Sequence, residues 1–399
     1  MGRTFRRLRH GSSADFWRLW AVALVIYTVR SLETVVFGVV VYEKSGSAFL
    51  VAVISMLRLL PLGLFGAFVG TIVERFDRRL TLAGMVGLMG AVSATLCVVA
   101  RSGELEVWHL AVASLVSGFG WATDNPVRRM MMGEVVGGDR MGWAMSLDVG
   151  ASYASRAIGP ALGGILLVAV GIEGAFLLSV LMYATALAMT LSVRARIAAA
   201  PGTETVLTRM RQGFVIVLAD KRLAATMLVT VIFNVFAWPF TSMIPVIGRD
   251  RLELNAEGVG LLASIDGLGA CVGALLLVLW LRPGWYAAGY VGGVAVYLVA
   301  LIAFALTPGP MVAGAALLLA GLSGAVFATL QATIVYLAAP TNMRSRILGV
   351  LSVCVGTGPI GFVWLGWLAD RIGADWATAI TGVMGLLALA AARPLWRGT

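Results

Sequence analysis

Apolar residues fill this chain in runs of about 20, the length a helix needs to cross the hydrocarbon core of a bilayer. Short polar or charged breaks separate the runs. The pattern predicts spans over 17–41, 48–73, 80–100, 107–127, 143–169, 174–193, 223–247, 258–281, 286–306, 311–338, 347–368 and 376–392. One interval breaks the rhythm. Residues 194–222 collect Arg194, Arg196, Arg209, Arg211, Lys221 and Arg222 around Pro201-Gly202. From Val206 to Leu218 apolar and basic positions alternate at helical spacing, which predicts an amphipathic helix on the membrane surface. A linker fits this stretch, with a partner-binding role as the alternative. The chain divides into 1–193, the linker 194–222, and 223–399.

The break between spans 2 and 3 holds the densest charge, Glu74-Arg75-Phe76-Asp77-Arg78-Arg79. Burying these groups in lipid costs several kcal/mol each, and short Arg-rich loops stay in the cytoplasm. The same rule places both tails in the cytoplasm, with Arg3, Arg6, Arg7 and Arg9 at one end and Arg393 at the other. The paired arginines of the first tail precede no small-residue cleavage site, so the first apolar run is expected to stay as a span. Gly63, Gly66 and Gly70 give span 2 a small-residue face for a close neighbour.

Composition agrees. The chain is 60% hydrophobic and 13% charged, where a soluble domain carries about 25% charged residues. A multi-pass protein with the lipid bilayer as its first partner follows. The net charge of +10 follows from the basic loops and calls for no nucleic acid. Cys97, Cys271 and Cys354 lie in separate apolar runs, and His10 and His109 lie far apart, so no metal, disulfide or Ser-His-Asp spacing arises. Neither Lys44 nor Lys221 follows the glycines of a phosphate loop. No cofactor and no enzyme activity are expected.

The two halves repeat each other. Ile158-Gly159-Pro160-Ala161-Leu162-Gly163-Gly164 in span 5 matches Thr357-Gly358-Pro359-Ile360-Gly361 in span 11, and Gly267, Gly269 and Gly273 in span 8 echo the glycines of span 2. Proline inside a helix removes a backbone hydrogen bond and neighbouring glycines flatten it, so Gly159, Pro160, Gly163, Gly164, Gly358 and Pro359 are expected to form hinges. The expected fold is an all-α membrane protein of twelve transmembrane helices in two six-helix pseudo-symmetric halves.

Gly70-x-Ile72-Val73-Glu74-Arg75-x-Asp77-Arg78-Arg79-x-x-Leu82 resembles the signature G-x-L-A-D-R-x-G-R-R-x-x-L of the major facilitator superfamily, with Glu74 for its Asp and Asp77 for its second Gly. Gly150 with Gly159-Pro160 and Gly163-Gly164 resembles the superfamily's antiporter motif, less its middle element. With Phe16-Trp17-Arg18-Leu19-Trp20, Asp124-Asn125-Pro126-Val127-Arg128-Arg129 and Arg344-Ser345-Arg346, the chain looks like the bacterial branch of enterobactin exporters and macrolide-efflux relatives. That resemblance implies a monomeric secondary transporter of the bacterial inner membrane. It would export a small amphipathic molecule (siderophore, antibiotic or drug-like compound) by proton antiport. An importer, a lysolipid flippase or a non-transporting receptor are the alternatives. The superfamily's arginine early in span 4 is missing here, where only His109 stands.

Charges inside the membrane are functional candidates by default. Arg30 and Glu33 lie three apart and share a helix face. Glu33 is the expected proton carrier, since burial and a nearby arginine act in opposite directions on a carboxyl, with Arg30 or Arg58 as its partner. A fixed lock between helices is the alternative, and Asp266 is the second choice. Arg156 is expected to attract an anionic substrate group or to pair with an acid on another helix. Asn234, Trp238 and Gln331 are expected cavity contacts, because spans 7 and 10 line the cavity in the superfamily. Glu74 with Arg128 or Arg129, and Asp124 with Arg75, Arg78 and Arg79, are expected to form an inner gate.

Overall fold

The computed structural model describes residues 2–73, 76–137, 140–194, 206–280, 283–340 and 343–396, with side chains described throughout these ranges except at 2–13, 65–73, 206–209, 278, 280, 283, 345 and 396. Every regular element among them is helical. In chain order these are α1 (Gly2–Ser45), α2 (Ala48–Val73), α3 (Arg78–Arg101), α4 (Val107–Val136), α5 (Met141–Ala169) and α6 (Gly171–Ser192). A short α7 (Val206–Ala219) follows. Then come α8 (Lys221–Asp250), α9 (Ala256–Trp280), α10 (Tyr286–Leu306), α11 (Pro310–Ala338), α12 (Arg346–Ile372) and α13 (Ala374–Ala391).

Ten helices among the described residues are long and apolar enough to cross a bilayer. In α2 the described apolar stretch is the shorter Ala48–Leu64. α4 falls outside the ten, because Ser, Thr and Gly positions and Asp124 dilute its apolar run. α1 is longer than its predicted span and is helical from Gly2.

Three helices depart from a simple rod. α8 runs as an α-helix to Ile232, takes a π turn over Phe233–Ala237 and a 3-10 turn over Trp238–Met243, and resumes at Ile244–Asp250. Pro239 and Pro245 each remove a backbone donor there, and π turns cluster at functional sites. α12 breaks at Gly356-Thr357, and Pro359 sits in the first turn of its second piece, where its missing N–H costs nothing. α5 remains helical through Pro160. The free Ala161 N–H crosses to α9 and donates to Ser264 Oγ at 2.8 Å.

α1 packs on α4, α5 and α6, α2 on α4, and α3 on α4 and α6. α9 packs on α11, α10 on α11 and α13, and α12 on α13 and α8. Two seams join these groups, α5 against α9 and α2 against α12. Small residues allow the close approach. A Cβ on Gly63 would lie 2.9 Å from the carbonyl oxygen of Gly356, so the α2–α12 seam has no room for a side chain at that point. α7 turns Val217 toward Ile347 and Val350 of α12, so its apolar face rests on protein, while Phe214, Val215 and Leu218 stay exposed.

Candidate functional site

An axial cavity lies where α1, α2, α4, α5, α8, α9 and α12 converge. It has two adjoining lobes of about 320 and 180 Å³, which share Ser31, Thr34, Ser55, Trp121, Trp238 and Thr241. Arg156 and Asp266 line the larger lobe, Arg30 and Arg58 the smaller. Trp238 faces Trp121 edge-on at 6.4 Å and Phe362 at the same distance, which gives the cavity an aromatic wall. The irregular turns of α8 swing Trp238, Thr241 and Ser242 to this wall. Such a space, mostly apolar with a few convergent polar groups, suits a small amphipathic ligand. A third cavity of about 340 Å³ lies off the axis between α8, α10 and α11, near Arg222, Tyr286 and Tyr290.

Arg156 on α5 forms an ion pair with Asp266 on α9, across a seam. The side chain of Arg156 is 42% exposed and that of Asp266 7%, so the pair has one wet and one dry partner. Arg156 therefore lines the cavity as expected, with the acid of another helix as its partner. Arg30 stacks over Trp121 at 5.2 Å and reaches Asp124 Oδ2 at 3.7 Å. Arg58 donates to Arg30 O at 3.1 Å and to Thr34 Oγ1.

Several sequence expectations need correction. Glu33 is buried and forms an ion pair with neither Arg30 nor Arg58; it accepts a hydrogen bond from Ser93 Oγ of α3 at 2.8 Å. Three residues leave Glu33 rotated from Arg30 around α1, and Glu33 lines neither lobe of the cavity. Asn234 and Gln331 are buried away from the cavity: Asn234 Nδ2 donates to Thr230 O at 2.9 Å and Gln331 Nε2 to Thr230 Oγ1 at 2.9 Å. Trp238 stands at the cavity wall, as expected.

The expected inner gate divides. Glu74 and Arg75 lie outside the described residues. Gly70 belongs to α2. Asp77 caps α3, accepting from Leu80 N at 2.9 Å. Arg78 pairs with Glu134 of α4, and Arg79 donates to Leu191 O of α6. Asp124 pairs with Arg128 and Arg30, not with Arg78 or Arg79. Arg128, fully buried, donates to Asp124 Oδ1 at 3.1 Å, to Asp148 and to the Tyr27 hydroxyl at 2.8 Å, and Arg129 reaches Asp148 Oδ2 at 2.7 Å. Removing two charges from water is repaid only by such dense pairing.

The hinge residues serve the seams. Gly159 and Gly163 of α5 lie against α1, near Thr28 O and Leu32 O, while Gly164 meets Gly260 of α9. Gly358 lies against Leu59 of α2, and Pro359 restarts the broken α12.

Sequence reasoning does not single out the polar closure at the end of the bundle opposite the chain termini. Tyr42 donates to Asp250, Arg249 pairs with Glu43, and Asp370 accepts from Ser47 Oγ at 2.8 Å and Phe49 N at 2.9 Å. Arg251 there bonds Asp375 Oδ2 at 2.6 Å and Thr307 O at 2.8 Å. All of these residues except Phe49 sit in the polar breaks between the predicted spans, and only the pairing is hidden. Trp121 and Tyr27 carry no signal beyond an aromatic in an apolar run.

Comparison with known proteins gives a consistent picture. The family described as transmembrane secretion effector matches residues 7–396. Macrolide efflux protein A of Streptococcus pyogenes is 22% identical over 276 residues, 66% of this chain and 66% of that protein. The match thus spans about two thirds of that relative's length. The fold is shared with a bacterial homologue of the human lysosomal transporter Spinster, solved inward-facing and unoccupied, at TM-score 0.72 and 15% identity over 97% of this chain and 98% of that one. A POT family transporter in complex with 5-aminolevulinic acid superposes at TM-score 0.77, with 12% identity over 98% of this chain and 96% of that one.

Proposed function

Because the chain belongs to the transmembrane secretion effector family, with the major facilitator fold, we propose that it is a secondary transporter exporting a small amphipathic molecule by alternating access. The observation that carries this reading is the axial cavity, lined from α1, α2, α4 and α5 on one side and from α8, α9 and α12 on the other. α1–α6 and α8–α13 are two six-span halves joined by α7, and their packing repeats: α2 with α4 as α9 with α11, and α3 with α6 as α10 with α13. Parallel halves with a ligand site between them rock about that site. In this reading the termini and α7 lie in the cytoplasm of a bacterial cell, which the arginines at 128, 129, 140, 344 and 346 favour. On this orientation the polar closure is the outer gate.

Proton antiport supplies the energy in this reading. Asp266 lines the cavity and Glu33 is buried against Ser93 of α3, and these carboxylates are the proposed coupling groups. The names of the macrolide-efflux relatives favour antibiotic-like cargo, and a siderophore belongs to the same amphipathic class.

The test is metabolite profiling of medium and cytoplasm, with and without the gene, in iron-poor and iron-rich growth. A compound that moves from medium to cytoplasm on deletion supports export and names the cargo. Loss of an uptake instead reverses the direction. Counterflow of that compound in proteoliposomes separates transport from binding. Glu33→Gln and Asp266→Asn are expected to weaken the response of transport to a pH gradient, and an unchanged response in both overturns the coupling assignment.

A further inference from the structure

The smaller lobe of the cavity contains a cation with no acid paired to it. Arg58 is 7% exposed, and among the described residues it forms no ion pair. Its Nη1 is spent on Arg30 O and Thr34 Oγ1, and the ring of Phe37 lies 5.4 Å away. Its Nη2 is buried and has no hydrogen-bond partner. Nearby acids are engaged elsewhere. Asp266 holds Arg156, Asp124 holds Arg128, and Glu33 accepts its hydrogen bond from Ser93 of α3 and forms no direct ion pair with Arg58. Arg30, on the same wall, reaches Asp124 only at 3.7 Å and rests mainly on the Trp121 ring.

A guanidinium at membrane depth without a paired acid is costly, and an unmade buried hydrogen bond adds to the cost. The guanidinium fork matches a carboxylate, sulfonate or phosphate with two parallel N–H bonds. From this juxtaposition of an unsatisfied Arg58 with Arg30 in one lobe of the cavity, we propose that the cargo carries an acidic head group. The head is held between Arg58 and Arg30, with Thr34 and Ser55 beside it. The apolar body of the cargo lies in the larger lobe against Trp121 and Trp238, where the Arg156–Asp266 pair leaves no net charge. The inference deepens the transporter reading and rests on it for the word cargo; the anion site itself does not.

The test uses three fluorescent probes with one body: dansylglycine, which is anionic at neutral pH, its neutral amide, and cationic dansylcadaverine. Equilibrium binding is measured on the purified full chain in nanodiscs, and counterflow in proteoliposomes. Dansylglycine is expected to bind about tenfold or more tighter than the amide, a difference of about 1.4 kcal/mol. Arg58→Gln is expected to bring dansylglycine binding down to that of the amide and so erase that difference. Where Arg58→Gln fails to fold, Arg58→Lys keeps the charge, loses the fork, and is expected to narrow the ratio. Equal binding of the three probes, binding of none, preference for dansylcadaverine, or an unchanged ratio in the variants overturns the proposal. Charge-selective binding without counterflow of any probe leaves the anion site standing and sinks the transporter reading instead.

Discussion

The first half of the chain, α1–α6, and the second, α8–α13, solve one problem, a polar core at membrane depth, by opposite means. Beneath the cavity in the first half, Tyr27, Asp124, Arg128 and Asp148 tie α1, α4 and α5 together with charges. At the corresponding place in the second half, Thr226, Thr230, Tyr290 and Gln331 tie α8, α10 and α11 together with neutral groups. The two networks differ in the consequence of losing a single bond. A neutral hydroxyl left alone in a protein within lipid finds another backbone oxygen nearby, whereas a buried charge left alone has nothing to replace its partner. The first half is therefore held in a sharply defined arrangement and the second in a forgiving one.

The largest test of that contrast is Arg128→Met. It leaves Asp124 with only Arg30 at 3.7 Å, and Asp148 with only the half-exposed Arg129. The expected loss is about 3–5 kcal/mol, the cost of breaking a buried pair from one side. It would be read as a large fall in folded yield and melting temperature in detergent. Adding Asp148→Asn is expected to recover part of the loss, because the orphaned charge goes with it. A melting temperature unchanged in Arg128→Met would mean that the charged core is no lock.

These charges are legible in the sequence as charges, and their partners are not. Hydropathy locates the helices, the repeat of Gly159-Pro160 in Gly358-Pro359 points to paired halves, and Arg156 and Trp238 line the axis where their spans predict them. Helical spacing fixes which residues share a face, but not what that face meets. Glu33 looks like a partner for Arg30 because three positions nearly share a face, yet the remaining rotation sends its carboxylate to Ser93. Asn234 fails for a second reason. The π turn over Phe233–Ala237 inserts extra backbone into α8, so the face that carries Thr230 before the turn, to which Asn234 within it bonds, is not the face that carries Trp238 after it. An irregular turn of this kind leaves no period to read. The closure at the far end is hidden for the plainest reason, since residues at helix ends such as Glu43 and Arg249 are 206 positions apart.

A smaller effect is expected from Thr230→Val, the matching lesion in the neutral core. It removes the acceptor of Gln331 Nε2 and the neighbour of the Tyr290 hydroxyl, while the volume of the side chain is kept. Interhelical hydrogen bonds of this type contribute about 0.6 kcal/mol on average and up to about 1.7. Melting temperature is expected to fall slightly, and cargo counterflow to persist. A loss as large as that of Arg128→Met would erase the contrast between the halves.

The smallest change sharpens the comparison within the charged half itself. Tyr27→Phe deletes one hydroxyl and no charge. That hydroxyl accepts from Arg128 Nη2 at 2.8 Å and lies 3.2 Å from Asn125 Oδ1 and 3.4 Å from Asp148 Oδ2. Arg128 keeps both carboxylates after the change, so the lock remains closed. The ring also remains, and with it the stacking of Arg128 at 4.9 Å. A bond between a neutral and a charged group contributes about 1.5–3 kcal/mol in soluble proteins, but here the guanidinium still has Asp124 and Asp148 to satisfy it. The expected cost is therefore below about 1.5 kcal/mol, measurable as a shift in melting temperature with counterflow retained. If Tyr27→Phe cost as much as Arg128→Met, the lock would depend on the hydrogen-bond network as a whole rather than on the pairing of its charges. The difference between the halves would then be one of connectivity instead of charge.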